Sequence, residues 1–542
     1  MSERMNAAET LVSGLVANGI ETIYALPGVQ NDPFFDALYH AQNQLRVLHT
    51  RHEQGCAYMA LGAAMATGKP QAVAVVPGPG MLNAASALAT AYSNNARVLA
   101  VVGQIPLHSI GRHTGQLHEI VDQTAILKTL TKWNTVVPGI ADVQPAVHAA
   151  FQQLLSGRPR PVGIEVPMDV WQQRATVLPH VAAEGLPPAP LDEDAIEAAA
   201  KLLGAAERPM LVVGSGALDA SLEVQAVAET LTAPVMSFRM GRGVMHDDHP
   251  LDVRLPVGHK LWADADVVLL VGTRGQNPLS IWGTAGLKVI RVDVDAAEMT
   301  RFGAPALAIQ GDAARVLGAL AARLGRHNQA RPGRAEAIAA VKTRVMQQVR
   351  ETLAPQIGFL QVMREELPRD GIFVDELTQV GYVSRIAMPV YAPRTFLSTG
   401  LQGTLGWGFA TALGAQAAMP HRRVLSIAGD GGFMFNVQEM ATAVQHGIPL
   451  VTVVFNDGAY GNVKGFQKAN FGGRTIASDL RNPDFVRLAE SFGAQGLRAH
   501  TPEELRGALK RGFATTDGPT LIEVPVGEMP SPWQFIMLPR CR

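Results

Sequence analysis

The sequence predicts an α/β protein of three doubly wound parallel-sheet domains, on three observations. Short apolar, β-branched runs recur along the chain: VLAVVGQ (98–104), MLVVGSG (210–216), VVLLVGT (267–273), VLSIAGDGG (424–432) and LVTVVFND (450–457). Such runs suit strands buried on both faces, as parallel sheets require. Between them, 191–205, 311–324 and 502–514 repeat apolar residues at helical spacing, and this alternation is the α/β pattern. Two compositional breaks then cut the 542 residues into thirds: Pro-rich GLPPAP at 185–190, and basic GRHNQARPGR at 325–334, which leads into a polar helical stretch ending near Pro355. The domains expected are 1–184, 191–325 and 350–542.

Composition narrows the function classes. Lys+Arg number 46 against 47 Asp+Glu, for a net charge of -1, so no global field attracts nucleic acid or an anionic membrane, and neither is expected as a partner. Hydrophobic residues at 47% exclude disorder. Two cysteines, Cys56 and Cys541, are too few for a disulfide framework and lack zinc-site spacing, which fits a reducing, cytoplasmic compartment. The opening MSERMNAAETLVSGLVANGI reads as an amphipathic helix, and no apolar run reaches the roughly 18 residues of a membrane span. A soluble, uncleaved chain is expected. The first third closes with GIEVP (163–167) and the last with LIEVP (521–525). Either the outer thirds are copies of one fold, or IEVP is simply good strand sequence.

The sharpest chemical signal is Gly429-Asp430-Gly431-Gly432 at the end of one expected strand, with Asn456-Asp457-Gly458 at the end of the next. Ligands sit at the C-terminal ends of parallel strands. Glycines admit phosphate close to backbone N–H groups, and carboxylates from neighbouring strand ends can hold a hard cation that also bridges phosphate oxygens. Mg2+ with a diphosphate is the natural occupant.

With these motifs the sequence resembles the thiamin-diphosphate enzymes, and among them the acetohydroxyacid- or acetolactate-synthase-like branch, over nearly the whole chain. The resemblance implies pyrimidine-binding, central and diphosphate-binding domains in that order. It makes Asp430, Asp457 and the carbonyl of Ala459 ligands of Mg2+, and places Gly429, Gly431, Gly432, Thr378, Gln379, Tyr460, Gly461 and Asn462 around the diphosphate. Glu53, in Arg51-His52-Glu53-Gln54-Gly55, takes the place of the glutamate that hydrogen-bonds N1′ of the aminopyrimidine so that the thiazolium C2 proton can be removed. Alone, the same residue reads as a helix cap or a partner of Arg51. Leu405, in Gly403-Thr404-Leu405-Gly406-Trp407-Gly408, matches the apolar wedge that bends the cofactor, although it also suits an ordinary core. Pro27, Gly28, Pro77-Gly78-Pro79-Gly80, Asn83 and Gly103-Gln104 match first-domain stretches lining the site. In the family the glutamate and the diphosphate anchor meet across a subunit interface, which implies a homodimer or homotetramer.

Departures from biosynthetic acetohydroxyacid synthases fall on substrate and flavin positions. The pocket loop reads Gln116-Leu117-His118-Glu119, the lysine of that enzyme's Val-Pro-Lys-Asp is Met168, and its flavin segment is replaced by Arg274-Gly275-Gln276-Asn277-Pro278. His118 and Gln116 thus become catalytic candidates on the substrate side, unless His118 points to solvent and only shapes the loop. The central third holds GSG (214–216), Val292-Asp293-Val294-Asp295 and Gly311-Asp312, reminiscent of a domain that in relatives carries FAD, ADP or nothing; an empty domain is expected. Three functions stay open. The first is a carboligase acting on a small-molecule 2-oxo acid, the second a non-oxidative decarboxylase of a 2-oxo acid or acyl-CoA, and the third a non-catalytic nucleotide-binding protein.

Overall fold

The computed structural model describes residues 3–542. The chain opens with strand β1 (Glu3–Asn6) rather than directly with a helix, and the helix begins at Ala7. Asn6 explains the switch. Its backbone is extended, and its side chain accepts the Glu9 N–H at 2.8 Å while Glu9 Oε2 accepts the Asn6 N–H at 2.6 Å, a reciprocal cap that starts the helix there. The antiparallel partner of β1 lies far along the chain, where local periodicity cannot reveal it.

Strands β2 (Thr22–Ala25), β3 (Arg46–His49), β4 (Gln71–Val75), β5 (Val98–Gln104), β6 (Trp133–Val136) and β7 (Val162–Pro167) form the first parallel sheet, in the order β3-β2-β4-β5-β7-β6. Strand β8 (Arg174–Val177) then returns to pair with β1. The central sheet is built from β9 (Pro209–Val213), β10 (Val235–Ser237), β11 (Asp252–Val253), β12 (Val267–Val271), β13 (Lys288–Asp293) and β14 (Leu307–Gln310), ordered β11-β10-β9-β12-β13-β14. The last uses β15 (Ile372–Val374), β16 (Phe396–Leu397), β17 (Val424–Gly429), β18 (Val451–Asn456), β19 (Gln495–Arg498) and β20 (Thr520–Pro525), ordered β16-β15-β17-β18-β20-β19. All five apolar runs are strands, three of them buried throughout and two in all but their last residue, and they are flanked by helices, as parallel sheets demand.

Counted within each sheet, the first and last are wound identically, whereas the central one has the strand order of a dinucleotide-binding fold. The duplication extends to single residues. Glu165 stands opposite Val102 and Glu523 opposite Val454, at matching places on β7 and β20. Glu165 accepts from Gln104 Nε2 at 3.0 Å, and Glu523 from Asn456 Nδ2 at 2.8 Å; Gln104 and Asn456 each close their strand opposite a proline. The repeated IEVP therefore marks two copies of one fold.

The copies pack through equivalent helices, Glu53–Thr67 and Trp407–Ala418, both buried along most of their length. At the crossing, a Cβ on Gly62 would lie 1.9 Å from the Thr411 carbonyl oxygen, and one on Gly414 would lie 1.9 Å from that of Met59. Backbone touches backbone, so only glycine fits at either position. Among the described residues, no helix is long and apolar enough to cross a membrane.

Candidate active site

Strands β17 and β18 are neighbours, so their C-terminal ends bring Asp430 and Asp457 together. Asp430 is 1% exposed, and its Oδ2 accepts from Asn482 Nδ2 at 2.5 Å. Asp457 accepts from Gln379 Nε2 at 2.9 Å and from the Ala459 N–H at 3.2 Å. Burial, and then the charge of Asp430, push the Asp457 carboxyl up to about 6. Lys464 pairs with Asp479 instead of with this couple. A buried and a half-buried carboxyl set this close are what a divalent cation relieves, and a donor set of oxygens alone suits a hard ion such as Mg2+. Among the described residues no three His, Cys, Asp or Glu side chains cluster as metal ligands, so a cation here must draw on main-chain or cofactor oxygens as well.

Glycines open the space around this pair. A Cβ on Gly431 would meet the Tyr460 ring at 2.6 Å, one on Gly461 would meet Asp457 Oδ2 at 2.5 Å, and one on Gly432 would meet Glu376 Oε1 at 2.6 Å. Gly429 faces Thr378 at an ordinary 3.5 Å, and Asn462 follows Gly461 in the first turn of its helix. Thr378 stands just before the helix Gln379–Ala387 and Tyr460 just before the helix Gly461–Asn470, neither with a side-chain cap, so two uncapped helix N-termini open near the pair and favour an anion.

On the first domain, His52 caps the helix whose first residue is Glu53, accepting the Gln54 N–H at 3.2 Å. Glu53 is half-buried; its Oε2 accepts from Asn83 Nδ2 at 3.0 Å, and Gly80 leaves room beside its other oxygen. Arg51 does not pair with it, donating instead to Gln445 Oε1 at 3.1 Å. Gly28 is required by Val76, whose Cγ1 would lie 2.6 Å from an added Cβ, and Pro27 precedes it in the loop after β2. The pocket loop leans on Gly78 (φ 58°), where a Cβ would meet the His118 carbonyl oxygen at 2.3 Å. His118 is half-buried, adopts a left-handed backbone (φ 68°) and has Nδ1 buried without a partner. The Gln116 side chain reaches only Thr114 Oγ1, at 3.4 Å, while Glu119 closes the turn by accepting the Gly115 and Gln116 N–H groups at 2.6 and 2.9 Å.

Within one chain no hydrogen bond joins the Glu53 carboxyl to Asp430 or Asp457. Glu53 is held inside the first domain, and Asp430 and Asp457 inside the last. Leu405 is half-exposed and belongs to none of the hydrophobic cores, so it is not the ordinary core leucine its sequence context allows.

Three family models match in succession: thiamine pyrophosphate enzyme, N-terminal TPP binding domain, over residues 5–126; its central domain over 196–320; and its C-terminal TPP binding domain over 378–524. A "Probable 2-ketoarginine decarboxylase AruI" of Pseudomonas aeruginosa is 32% identical over 96% of this chain and 94% of its own length. The chain belongs to the thiamine pyrophosphate enzymes. Other relatives include a "Probable acetolactate synthase large subunit" of Methanocaldococcus jannaschii, 31% identical over 96% of this chain and 92% of its own. The "Acetolactate synthase isozyme 1 large subunit" of Escherichia coli is 30% identical over 96% of this chain and 94% of its own.

In this thiamine pyrophosphate enzyme several residues that sequence reading passed over support the site. Asn482 bridges Asp430 and Asn456, donating to the latter at 2.9 Å. Glu439, fully buried, accepts the N–H groups of Arg51 and His52 at 3.1 Å each and so fixes the turn before Glu53 from the last domain. Gly55 leaves the room, since a Cβ there would lie 2.5 Å from Glu439 Oε1. Neither contact has a local sequence signal. A cavity of about 340 Å³ lies where the enzyme's three domains meet, at the end of β9 and β12, lined by Asn95, Arg158, Gly214, Gly216, Gly272 and Arg274 among others.

Proposed function

We propose that the protein uses thiamin diphosphate and Mg2+ to decarboxylate a 2-oxo acid and join the product to a second carbonyl compound. The observation that carries this reading is the pairing of buried Asp430 with half-buried Asp457 in a glycine-lined cradle. The relatives named acetolactate synthases favour the joining step. A second reading, decarboxylation ending in protonation, is favoured by the relative named 2-ketoarginine decarboxylase and by His118 at the pocket loop.

When bound, thiamin diphosphate supplies a nucleophilic carbon and an electron sink. The chain does the rest. Asp430, Asp457 and the Ala459 carbonyl would hold the cation; Thr378, Gln379, Gly429, Gly431, Gly432, Tyr460, Gly461 and Asn462 would bind the diphosphate; Gly403 and Leu405 would support the rings. Glu53, bonded to Asn83, would hold a proton at the aminopyrimidine, which Pro27 and Gly28 would also line. His118 and Gln116 face the substrate. We divide the chain at 1–184, 191–325 and 350–542, and assign it to the cytoplasm as a homodimer or homotetramer. A second copy brings its Glu53 to the Asp430 end of the first and covers exposed Leu82, Leu401 and Phe435. We leave FAD and ADP out of the reading, because Arg274 at the junction cavity turns to Glu298 at 3.6 Å and Arg158 is bound to Asp295 and Glu298.

The test is a panel of 2-oxo acids given to holoenzyme with and without an aldehyde acceptor, followed by product identification. Ligated product in the presence of acceptor is expected. Aldehyde alone under both conditions selects the second reading, and no CO2 release from any 2-oxo acid rejects both.

A further inference from the structure

Leu405 joins none of the hydrophobic cores, yet the wedge role proposed for it requires a fixed position. What fixes it is the next peptide group. Gly406 has a left-handed backbone, φ 79°, and heads the helix Trp407–Ala418. Its N–H is accepted by Glu376 Oε1 at 2.6 Å, and its carbonyl accepts from Asn436 Nδ2 at 2.6 Å. Both side chains are fully buried, and they come from two different segments: Glu376 two residues before Thr378, and Asn436 a few residues beyond the Asp430–Gly432 turn.

The surroundings are shaped for this grip. A Cβ on Gly408 would lie 2.7 Å from Glu376 Oε2, and one on Gly432 would lie 2.6 Å from Oε1, so two further glycines make space for one carboxyl. A Cβ on Gly406 itself would strike Phe435 at 2.4 Å. Burying a carboxyl whose second oxygen finds no partner is unfavourable, and burial pushes Glu376 up to about 8. A helix start alone does not need it, since an exposed serine or aspartate caps as well.

We infer that Glu376 and Asn436 are positioning residues that grip the Gly406 peptide from both sides and hold Leu405 at its working height before the cofactor arrives. The inference rests on the proposed role of Leu405, and it adds two residues that hold the wedge without touching the reacting atoms.

Two measurements test it. In protein without cofactor, amide hydrogen exchange of the peptide spanning 400–408 should quicken by about tenfold or more in Glu376→Ala and in Asn436→Ala, because the Gly406 peptide group loses a buried partner. It should stay at the wild-type rate in Glu376→Gln, whose amide oxygen still accepts the N–H. In loaded protein, C2 hydrogen exchange followed by NMR should slow by about tenfold or more in Glu376→Ala, since small misplacement can cost ~10²-fold. Calorimetric affinity for thiamin diphosphate should change much less, and Glu376→Gln should restore the rate. Leu405→Ala keeps the grip and loses the wedge, so adding Glu376→Ala to it should slow exchange no further. Unchanged amide exchange in both alanine variants, or multiplied losses in the double variant, overturns the inference. If wild-type protein bound no thiamin diphosphate, the functional reading would fail, while amide exchange would still decide the grip.

Discussion

Glu53 stands on the first residue of a helix with Asn83 as its hydrogen-bond donor, a setting that holds a carboxyl in place and leaves it free to share a proton. Glu53→Gln preserves shape and the Asn83 contact. It should leave thiamin diphosphate bound and slow C2 hydrogen exchange, read by NMR, by ~10²–10⁴-fold, the usual worth of a general acid–base group. At the other end, Asp430→Ala removes one of two facing carboxyls, and titration calorimetry on dialysed protein should then show tight cofactor binding lost in the presence of Mg2+. His118 is held against the Gly78 turn with an unpartnered Nδ1. His118→Gln should lower turnover and shift the product profile from protonated toward ligated product when an aldehyde acceptor is supplied, because an amide cannot pass on a proton as an imidazole can. An unaltered profile would retire His118 in favour of Gln116.

Among the elements, β11 makes its own pH prediction. Asp252, its first residue, is 2% exposed beside Asp247 and Arg254, and burial followed by the Asp247 charge pushes its carboxyl up to about 7. The native state therefore keeps a proton that the unfolded chain releases from about pH 4 upward. Its contribution to stability falls as pH rises from about 4 to about 7 and is level above that. Asp252→Asn cannot titrate, so urea denaturation should find it gaining on wild type at pH 8 but not near pH 4. Strands such as β5, β9 and β12 were legible because a parallel strand buried on both faces is apolar at every position. So was the meeting of Asp430 and Asp457 among glycines, which lie in short local motifs. The two-residue strands β11 and β16 carry too little pattern to read, and β1 takes its pairing from a distant strand. Glu376, Asn436, Glu439 and Asn482 were invisible for one reason: each acts on a segment that only the finished topology brings near.

For the whole molecule, the separate placement of Glu53 and Asp430 makes a reassembly experiment decisive. Glu53→Gln and Asp430→Ala subunits, each inactive, should recover about a quarter of wild-type activity when mixed and reassembled, because half the dimers are mixed and each mixed dimer holds one undamaged site. No recovery would place both residues in a site made by one chain. The purified protein should also be colourless, and a near-stoichiometric flavin spectrum would show the junction cavity occupied. The crossing of Gly62 and Gly414 has a consequence during synthesis. The helix Glu53–Thr67, nearly all of which needs cover, leaves the ribosome about 350 residues ahead of the end of its partner, Trp407–Ala418, a wait of roughly 20–70 s at ordinary translation rates. Through that interval a close-fitting surface of small side chains is made, finished and unmatched. The nascent chain's exposure to chaperones and to misassembly is thus set less by the stability of its first lobe than by the time taken to make the last.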